Sequence, residues 1–204
     1  GPTREPIDPV RFISNPSTGA TGIALAREAL LRGADVTLVL GPTQLQAPSG
    51  VRAIHVTTAQ EMHDATLAHI GDADLIIATA AVSDWRPEKT HAQKVKKDAS
   101  ETTLELAQNP DILASIASRK NSAVVVGFAA ETEDHEANAR QKLLSKQLDA
   151  IAVNDVSGGR GFGLQKNALT VLWGTAGKRE IASAAKEVLA ARLLDSIEHD
   201  VIGS

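Results

Sequence analysis

Two uninterrupted apolar runs, residues 74–81 (Asp-Leu-Ile-Ile-Ala-Thr-Ala-Ala) and 123–128 (Ala-Val-Val-Val-Gly-Phe), constrain the fold of this chain more than any other feature. Each has the length of a strand, and neither alternates between apolar and polar residues. Each therefore predicts a strand buried on both faces, the situation of strands in a parallel sheet. Burial on both faces requires helices above and below the sheet, and the segments between such runs do have helical spacing.

Taken in order, residues 23–33 are helical in pattern and stop at Gly33, and 36–40 and 51–56 read as strands. Thr58 and Glu61 have the spacing of a capping box, opening a helix to about Ile70 with Met62, Leu67 and Ile70 on one face. Residues 102–107 alternate like a strand. Asn109, Pro110 and Asp111 then read as N-cap, first helical position and first turn of a helix. A helix over 134–147 carries Arg140, Lys142 and Lys146, and 149–153 is a further strand. The glycine-rich residues 154–167 read as a mobile loop; 168–173 and 179–181 form a hairpin around 174–177, and 182–197 is a closing helix. The order specifies an α/β fold: a doubly wound, mostly parallel, Rossmann-like sheet with a C-terminal β-hairpin addition and closing helix. No repeat or long linker divides the chain, so 1–204 reads as a single domain.

Composition narrows the chemistry. Aromatic residues make up only 2% of the 204, so the core must be built from Ala, Val, Leu and Ile. The absence of cysteine excludes disulfides, a thiolate nucleophile and Cys-ligated zinc, and the six histidines lack metal-ligand spacing. A net charge of −4 argues against a nucleic-acid-binding surface. No run approaches the length of a membrane span and no charged-then-apolar leader opens the chain, so a cytoplasmic location is expected.

Three polar clusters, residues 15–22, 79–97 and 109–146, are placed where one sheet edge can gather them. Residues 15–22 form a polar loop running into a helix, with Gly19 and Gly22 three apart. Such a helix start offers free N–H groups and a positive dipole end to an anion. Ser17 leaves the three-glycine dinucleotide fingerprint incomplete. The run 74–81 changes abruptly to polar residues at Ser83 and Asp84, and ligands of open parallel sheets bind outside the strands' carboxyl ends. Lys94, Lys96 and Lys97 lie in the lysine-rich stretch 88–100, which reads as a solvated loop. Anion-binding backbone, one acid and several cations suit phosphoryl or nucleotidyl transfer. Taken singly, each residue has a plainer reading. Asn109 and Pro110 suffice as a helix start, Phe128 as core, Asp84 as a turn cap, and Lys142 and Lys146 as a solvated face.

The segments 1–15, 80–84 (Ala-Ala-Val-Ser-Asp), 94–97 (Lys-Val-Lys-Lys), 109–112 (Asn-Pro-Asp-Ile) and 126–132 (Val-Gly-Phe-Ala-Ala-Glu-Thr) occur in this order. Together they resemble phosphopantothenate–cysteine ligase, the phosphopantothenoylcysteine synthetase of coenzyme A biosynthesis. In bacteria that enzyme is usually the C-terminal half of a bifunctional protein with a flavin-dependent decarboxylase. The resemblance covers essentially the whole chain. It implies that CTP activates the 4′-phosphopantothenate carboxylate as an acyl-cytidylate with release of pyrophosphate, and that the cysteine amine then displaces CMP. It also implies Mg²⁺ and a homodimer with active sites near the subunit interface.

Carried over by position, the resemblance implies catalytic roles for Asn15, at the acyl-cytidylate, and for Lys94, on a mobile loop. It implies CTP contacts at Ser17, Thr18 and Gly19, at Ala78, Thr79, Ala80 and Asp84, and at Lys94. Further contacts fall at Asn109, Pro110, Asp111, Ile112 and Leu113, and at Phe128, Lys142 and Lys146. Asn15 and Ala81 are implied for the acyl substrate and Asp84 for the metal. The chain departs from the family pattern at Ala20, where a basic residue is usual, and at Gln165 and Lys166, where acidic residues are common. The family's first strand would precede Gly1, so a ligase half lacking that strand is expected. Two other classes stay open on the residues alone: a non-catalytic nucleotide-binding paralogue, and a nicotinamide-dependent oxidoreductase. Ser17 and the lack of an acidic residue after 36–40 count against the second.

Overall fold

The computed structural model describes residues 1–71, 73–96, 103–131, 134–155 and 167–203. Two short antiparallel strands open it, β1 (Arg4–Pro6) and β2 (Phe12–Ser14). Helix α1 (Ala20–Leu31) and strand β3 (Thr37–Leu40) follow, and β3 pairs in parallel with β4 (Arg52–His55). Helix α2 (Ala59–Leu67) leads to β5 (Leu75–Ala78). An antiparallel arm made of β6 (Trp85–Pro87) and β7 (Leu106–Gln108) then interrupts the βα alternation. The remaining elements are α3 (Ile112–Arg119), β8 (Val124–Glu131), α4 (His135–Ser145), β9 (Ala150–Asp155), β10 (Asn167–Trp173), β11 (Gly177–Ala184) and α5 (Lys186–Ser196). A π-helical turn over Ile197–Ile202 closes the chain.

The central sheet has the order β11-β10-β9-β8-β5. Its β5, β8 and β9 are parallel, whereas β9, β10 and β11 are antiparallel. Because side chains alternate along a strand, neighbouring residues serve two different cores. Val126, Ala150, Ala152 and Val171 face α1 and α5, packing with Leu25, Leu189, Leu193 and Ile197. Val125, Ile151, Val153 and Leu172 face α3 and α4, packing with Ile116, Ala139 and Leu143. Each fully buried aliphatic side chain stabilises the fold by about 1.5–3 kcal/mol, which is how two cores hold with almost no aromatic residue. Among the described residues, no helix is long and apolar enough to cross a membrane.

Several expectations are borne out closely. The capping box forms, with Thr58 Oγ1 accepting from Glu61 N–H at 3.1 Å and Glu61 Oε2 accepting from Thr58 N–H. The hairpin turns at Gly174, and the sheet is mixed α/β as expected.

Others are corrected. The run 74–81 is half-buried rather than buried on both faces, because β5 is the edge strand of the five-stranded sheet. Between β5 and the β3–β4 pair runs only the start of the chain, where Pro2 bridges Ala81 in parallel and Gly1 C=O accepts from Ala81 N–H at 3.3 Å. Asn109 does not cap a helix. Asp111 does, its side chain accepting from Ala114 N–H at 3.0 Å, and α3 starts two positions later than the Asn-Pro pair suggests. Of the strand expected over 102–107, residue 102 lies outside the described residues, and over 103–107 only Leu106 and Ala107 are in β7, since its partner β6 is only three residues long. The closing helix starts at Lys186, because residues up to Ala184 are held in β11 by pairing with β10. Of the lysine-rich stretch, 88–96 is described and is tied down: Glu88 N–H reaches Glu105 C=O at 3.0 Å and His91 N–H reaches Ile7 C=O at 2.9 Å. Lys97, Gln165, Lys166 and most of the glycine-rich loop lie outside the described residues.

Candidate active site

The site is built around the carboxyl end of β5. Helix α1 starts at Gly19, whose φ of 75° is the left-handed conformation that glycine adopts without penalty. A side chain on Gly19 would also meet Gly1 Cα at 3.2 Å. No side chain caps this helix and its first turn carries no acid, so its leading N–H groups and dipole face outward without a built-in anion. Ser17 Oγ and Thr18 Oγ1 make only long contacts with the Gly19 and Ala20 N–H groups, 3.3 and 3.4 Å. Thr43 Oγ1 anchors the loop by donating to Thr18 C=O at 2.7 Å.

Gly22 brings this first turn against β5. A Cβ at Gly22 would lie 2.8 Å from Thr79 Oγ1, so only glycine allows the helix this close to the strand end. Beyond β5, Asn15 Nδ2 donates to Val82 C=O at 2.9 Å. Ser83 N–H donates to the buried Thr3 Oγ1 at 3.0 Å. Asn109 Nδ2 donates to Ser83 C=O at 2.8 Å, and its N–H donates to Asp84 C=O at 2.9 Å. Arg86 then holds the Gln108 carbonyl and Asn109 Oδ1. Asn15, Ala80, Ala81, Asp84 and Asn109 thus meet on one short stretch of backbone. Asp84 itself is exposed.

The outer candidates join through ion pairs. Lys146, just past α4, pairs with Asp111 at the start of α3. That contact joins two of the residues expected at a nucleotide, and leaves Lys146 engaged with a protein carboxylate. Lys142 lies one turn earlier, half-buried. Pro110, Ile112 and Leu113 form the turn into α3, and Phe128 packs against the α1–α5 core. Lys94 is exposed on the 88–96 segment, and its neighbour fixes it: Val95 N–H donates to Asp8 Oδ2 at 3.2 Å and Arg11 Nη2 to Val95 C=O at 3.1 Å.

Asp8 was not singled out by sequence reasoning, although an Asp-Pro pair with Arg three residues on is a turn signal. It is buried, accepts from the Val10 and Arg11 N–H groups at 2.9 Å each, and from Arg11 Nε at 3.0 Å. The Arg11 guanidinium, and then the backbone donors, hold its carboxyl well below the usual carboxylate range against the opposing effect of burial. Arg11 is therefore committed to Asp8 rather than free to replace a basic residue at Ala20. Ala20 is the first residue of α1 and is buried.

Lys186 was missed as well. It is buried in a cavity beneath α1, and desolvation pushes its ammonium below the ordinary lysine value. A cation in the first turn of a helix, where the dipole disfavours it, is the sequence signal that points to it.

Among the described residues no three His, Asp or Glu side chains cluster as a metal cage. Asp84 is the sole acid that the resemblance offers for a metal, and a Mg²⁺ ion bound through one carboxylate and a ligand's phosphates is compatible with that donor set.

The chain matches, over residues 1–201, the family model described as DNA/pantothenate metabolism flavoprotein C-terminal domain. It is 48% identical over 202 residues to the coenzyme A biosynthesis bifunctional protein CoaBC of Vibrio vulnificus (strain CMCP6), covering 97% of this chain and 50% of that protein. It is 46% identical over 202 residues to the CoaBC protein of Escherichia coli (strain K12), with the same coverage. The chain thus spans about half the length of the curated relatives it matches. A crystal structure of the C-terminal domain of a CoaBC protein superposes with a TM-score of 0.85 at 36% identity, covering 100% of this chain and 93% of that one.

Proposed function

Because this chain belongs to the family of DNA/pantothenate metabolism flavoprotein C-terminal domains, we propose that it acts as a CTP-dependent phosphopantothenate–cysteine ligase. The observation that carries the reading is the junction at β5: the loop 15–22, the strand end 78–84 and the start of α3 are bound to one another through Asn15, Gly22, Thr79 and Asn109. Two of these, the strand end through residues 80–84 and the start of α3 at 109–112, carry the resemblance to the ligases, and the loop 15–22 holds positions that the resemblance assigns to the nucleotide. Nothing observed favours a non-catalytic paralogue.

In the first half-reaction the 4′-phosphopantothenate carboxylate attacks the α-phosphorus of CTP. An O–P bond forms, the bond to the β-phosphate oxygen breaks, and pyrophosphate leaves with its electron pair. The uncapped first turn of α1, with Ser17, Thr18 and Gly19, binds the phosphates. Ala78, Thr79, Ala80 and Asp84, the turn from Asn109 to Leu113, Phe128, Lys142 and Lys146 hold the rest of the nucleotide. Lys146 exchanges Asp111 for the ligand as it binds. Asp84 would hold Mg²⁺, which neutralises phosphate charge when bound. Lys94 stabilises the charge that builds on the α-phosphate, an interaction stronger in the transition state than in the ground state.

In the second half-reaction the cysteine amine attacks the acyl carbonyl, loses a proton and expels CMP, leaving the amide. Asn15, which can donate and accept, holds the acyl group beside Ala81.

The single domain 1–204 would be the ligase half of a bifunctional protein fused to a flavin-dependent decarboxylase, working in the cytoplasm as a homodimer. Exposed Val10 and Phe12 near β2, with Trp85, Leu104 and Leu106 on the β6–β7 arm, support an apolar subunit contact there. A single-turnover assay that follows pyrophosphate and ligated product separately tests the assignment. Lys94→Gln should abolish pyrophosphate release, whereas Asn15→Asp should release pyrophosphate but not complete the amide. Wild-type pyrophosphate release by Lys94→Gln would overturn the role given to Lys94, and no CTP turnover by the wild type would overturn the ligase reading.

A further inference from the structure

Lys186 is held in an unusual position. It is the first residue of α5, following the N-cap Ala185, and only 8% of it is exposed. Lysine is rarely buried to this extent unless paired. Among the described residues no hydrogen bond or ion pair engages its ammonium, and no carboxylate joins it in lining the cavity. The position is unfavourable twice over: burial disfavours the charge, and so does the positive end of the α5 dipole.

The ammonium shares a cavity of about 60 Å³ that lies between α1, the sheet and α5. Its polar walls are Thr21, from the first turn of α1, with Asn154 and Asn167 from β9 and β10; Phe128 and Leu25 supply apolar wall. That set can donate hydrogen bonds and supplies one positive charge with no negative one. The volume is several times the roughly 10–15 Å³ that admits one water, so it has room for phosphoryl oxygens but not for a nucleoside. The cavity also adjoins the uncapped start of α1, already the anion-attracting feature of the site.

We infer that Lys186 is a phosphoryl-binding residue: its ammonium, with Thr21, Asn154 and Asn167, receives the phosphate end of the nucleotide beneath the first turn of α1. The inference rests on the nucleotide reading above and adds a cation to it. The chain lacks a basic residue at Ala20, and Arg11 is engaged by Asp8; Lys186 supplies positive charge beside Thr21, in the first turn of α1. An incoming phosphate dianion would also compensate the charge that burial and the dipole disfavour, so the ammonium interacts more strongly in the complex than in the free protein.

The test uses Lys186→Met, similar in length but uncharged, and Lys186→Gln as a second neutral variant, in the full 204-residue chain. Calorimetry with inorganic pyrophosphate, CTP and CMP is compared with melting temperatures without ligand. Loss of one charge-assisted hydrogen bond should weaken pyrophosphate and CTP binding about 10- to 100-fold. CMP binding should change less than about twofold by the same reasoning, and unliganded Lys186→Met should melt no lower than the wild type because a buried unpaired charge has gone. Unchanged pyrophosphate and CTP affinity in both variants would overturn the inference. So would an equal loss for CMP and CTP together with a lowered melting temperature, since that pattern marks a structural role. Wild-type protein that binds pyrophosphate but not CTP would sink the nucleotide reading while leaving the phosphoryl site standing.

Discussion

Substituting Gly22 by alanine tests the contact that sets α1 against the end of β5. The new Cβ would sit 2.8 Å from Thr79 Oγ1, closer than such atoms approach in folded proteins. Thr79 cannot swing away easily, because a β-branched side chain is stiff at χ1, so helix and strand must separate by a few tenths of an ångström. Overpacking of this kind costs about 1–3 kcal/mol. Alanine regains roughly 1 kcal/mol over glycine inside a helix. The net expectation runs from about zero to 2 kcal/mol of destabilisation, or a melting temperature lower by up to about 8 °C for a domain of this size.

The decisive measurement is a double-mutant cycle with Thr79→Ala, which removes the oxygen. In that background Gly22→Ala should stabilise by roughly 1 kcal/mol, so the coupling between the two positions should be about 1–3 kcal/mol. Denaturant unfolding of the four proteins gives this value. A coupling below about 0.3 kcal/mol, within additivity error, would refute the claim that close packing on Thr79 is why glycine stands at 22.

Asp8→Asn should loosen the segment that carries Lys94 and lower kcat in the pyrophosphate-release assay more than it raises KM for CTP; an unchanged kcat would deny Asp8 that role. Its pH signature follows from the sign of the shift. The folded carboxyl titrates below its unfolded value, so its stabilisation is full above about pH 5 and is lost as pH falls through about 4 and lower. The difference in urea midpoint between wild type and Asp8→Asn should accordingly shrink between pH 7 and pH 3, and a constant difference would contradict the buried ion pair. Asp111→Ala removes the cap of α3 and should cost about 1 kcal/mol, seen as a lower urea midpoint. It also frees Lys146 from its partner, so CTP affinity should not fall in proportion to stability; an equal loss of both would mean that the pair does not restrain Lys146.

The elements that local pairing and short-range geometry decide were legible in the sequence. Thr58 and Glu61 sit three residues apart and satisfy each other's backbone, although the next N–H, of Ala59, donates to the distant Glu5 carboxylate. The strands at 124–128 and 150–153 show as apolar runs because both of their faces are covered. The candidate site was legible as a set of motifs and, by resemblance, as a ligase site, since each motif is a short contiguous segment. Where reading failed, the winning interaction was distant in sequence. Asn109 is a good helix cap in isolation, but hydrogen bonds to Ser83 and Asp84 hold it in the site, and the cap passes to Asp111.

Lys186 and Asp8 mark the same division from the side of charge. Their identities are plain in the sequence, and charged residues are ordinarily read as solvated. Burial, and what it does to a carboxylate or an ammonium, depends on which surfaces close over them. For Asp8 that is Val95, 87 positions away; for Lys186 it is α1, brought against α5 across one face of the sheet. Sequence alone therefore determined the core strands, the packed helices and the Thr58–Glu61 capping box of this chain, because periodicity and motif spacing are local, and its contiguous motifs carried the resemblance to a family. Only the tertiary structure decided which polar groups lost their water and what they met in its place, because desolvation is set by neighbours that the chain supplies from far away.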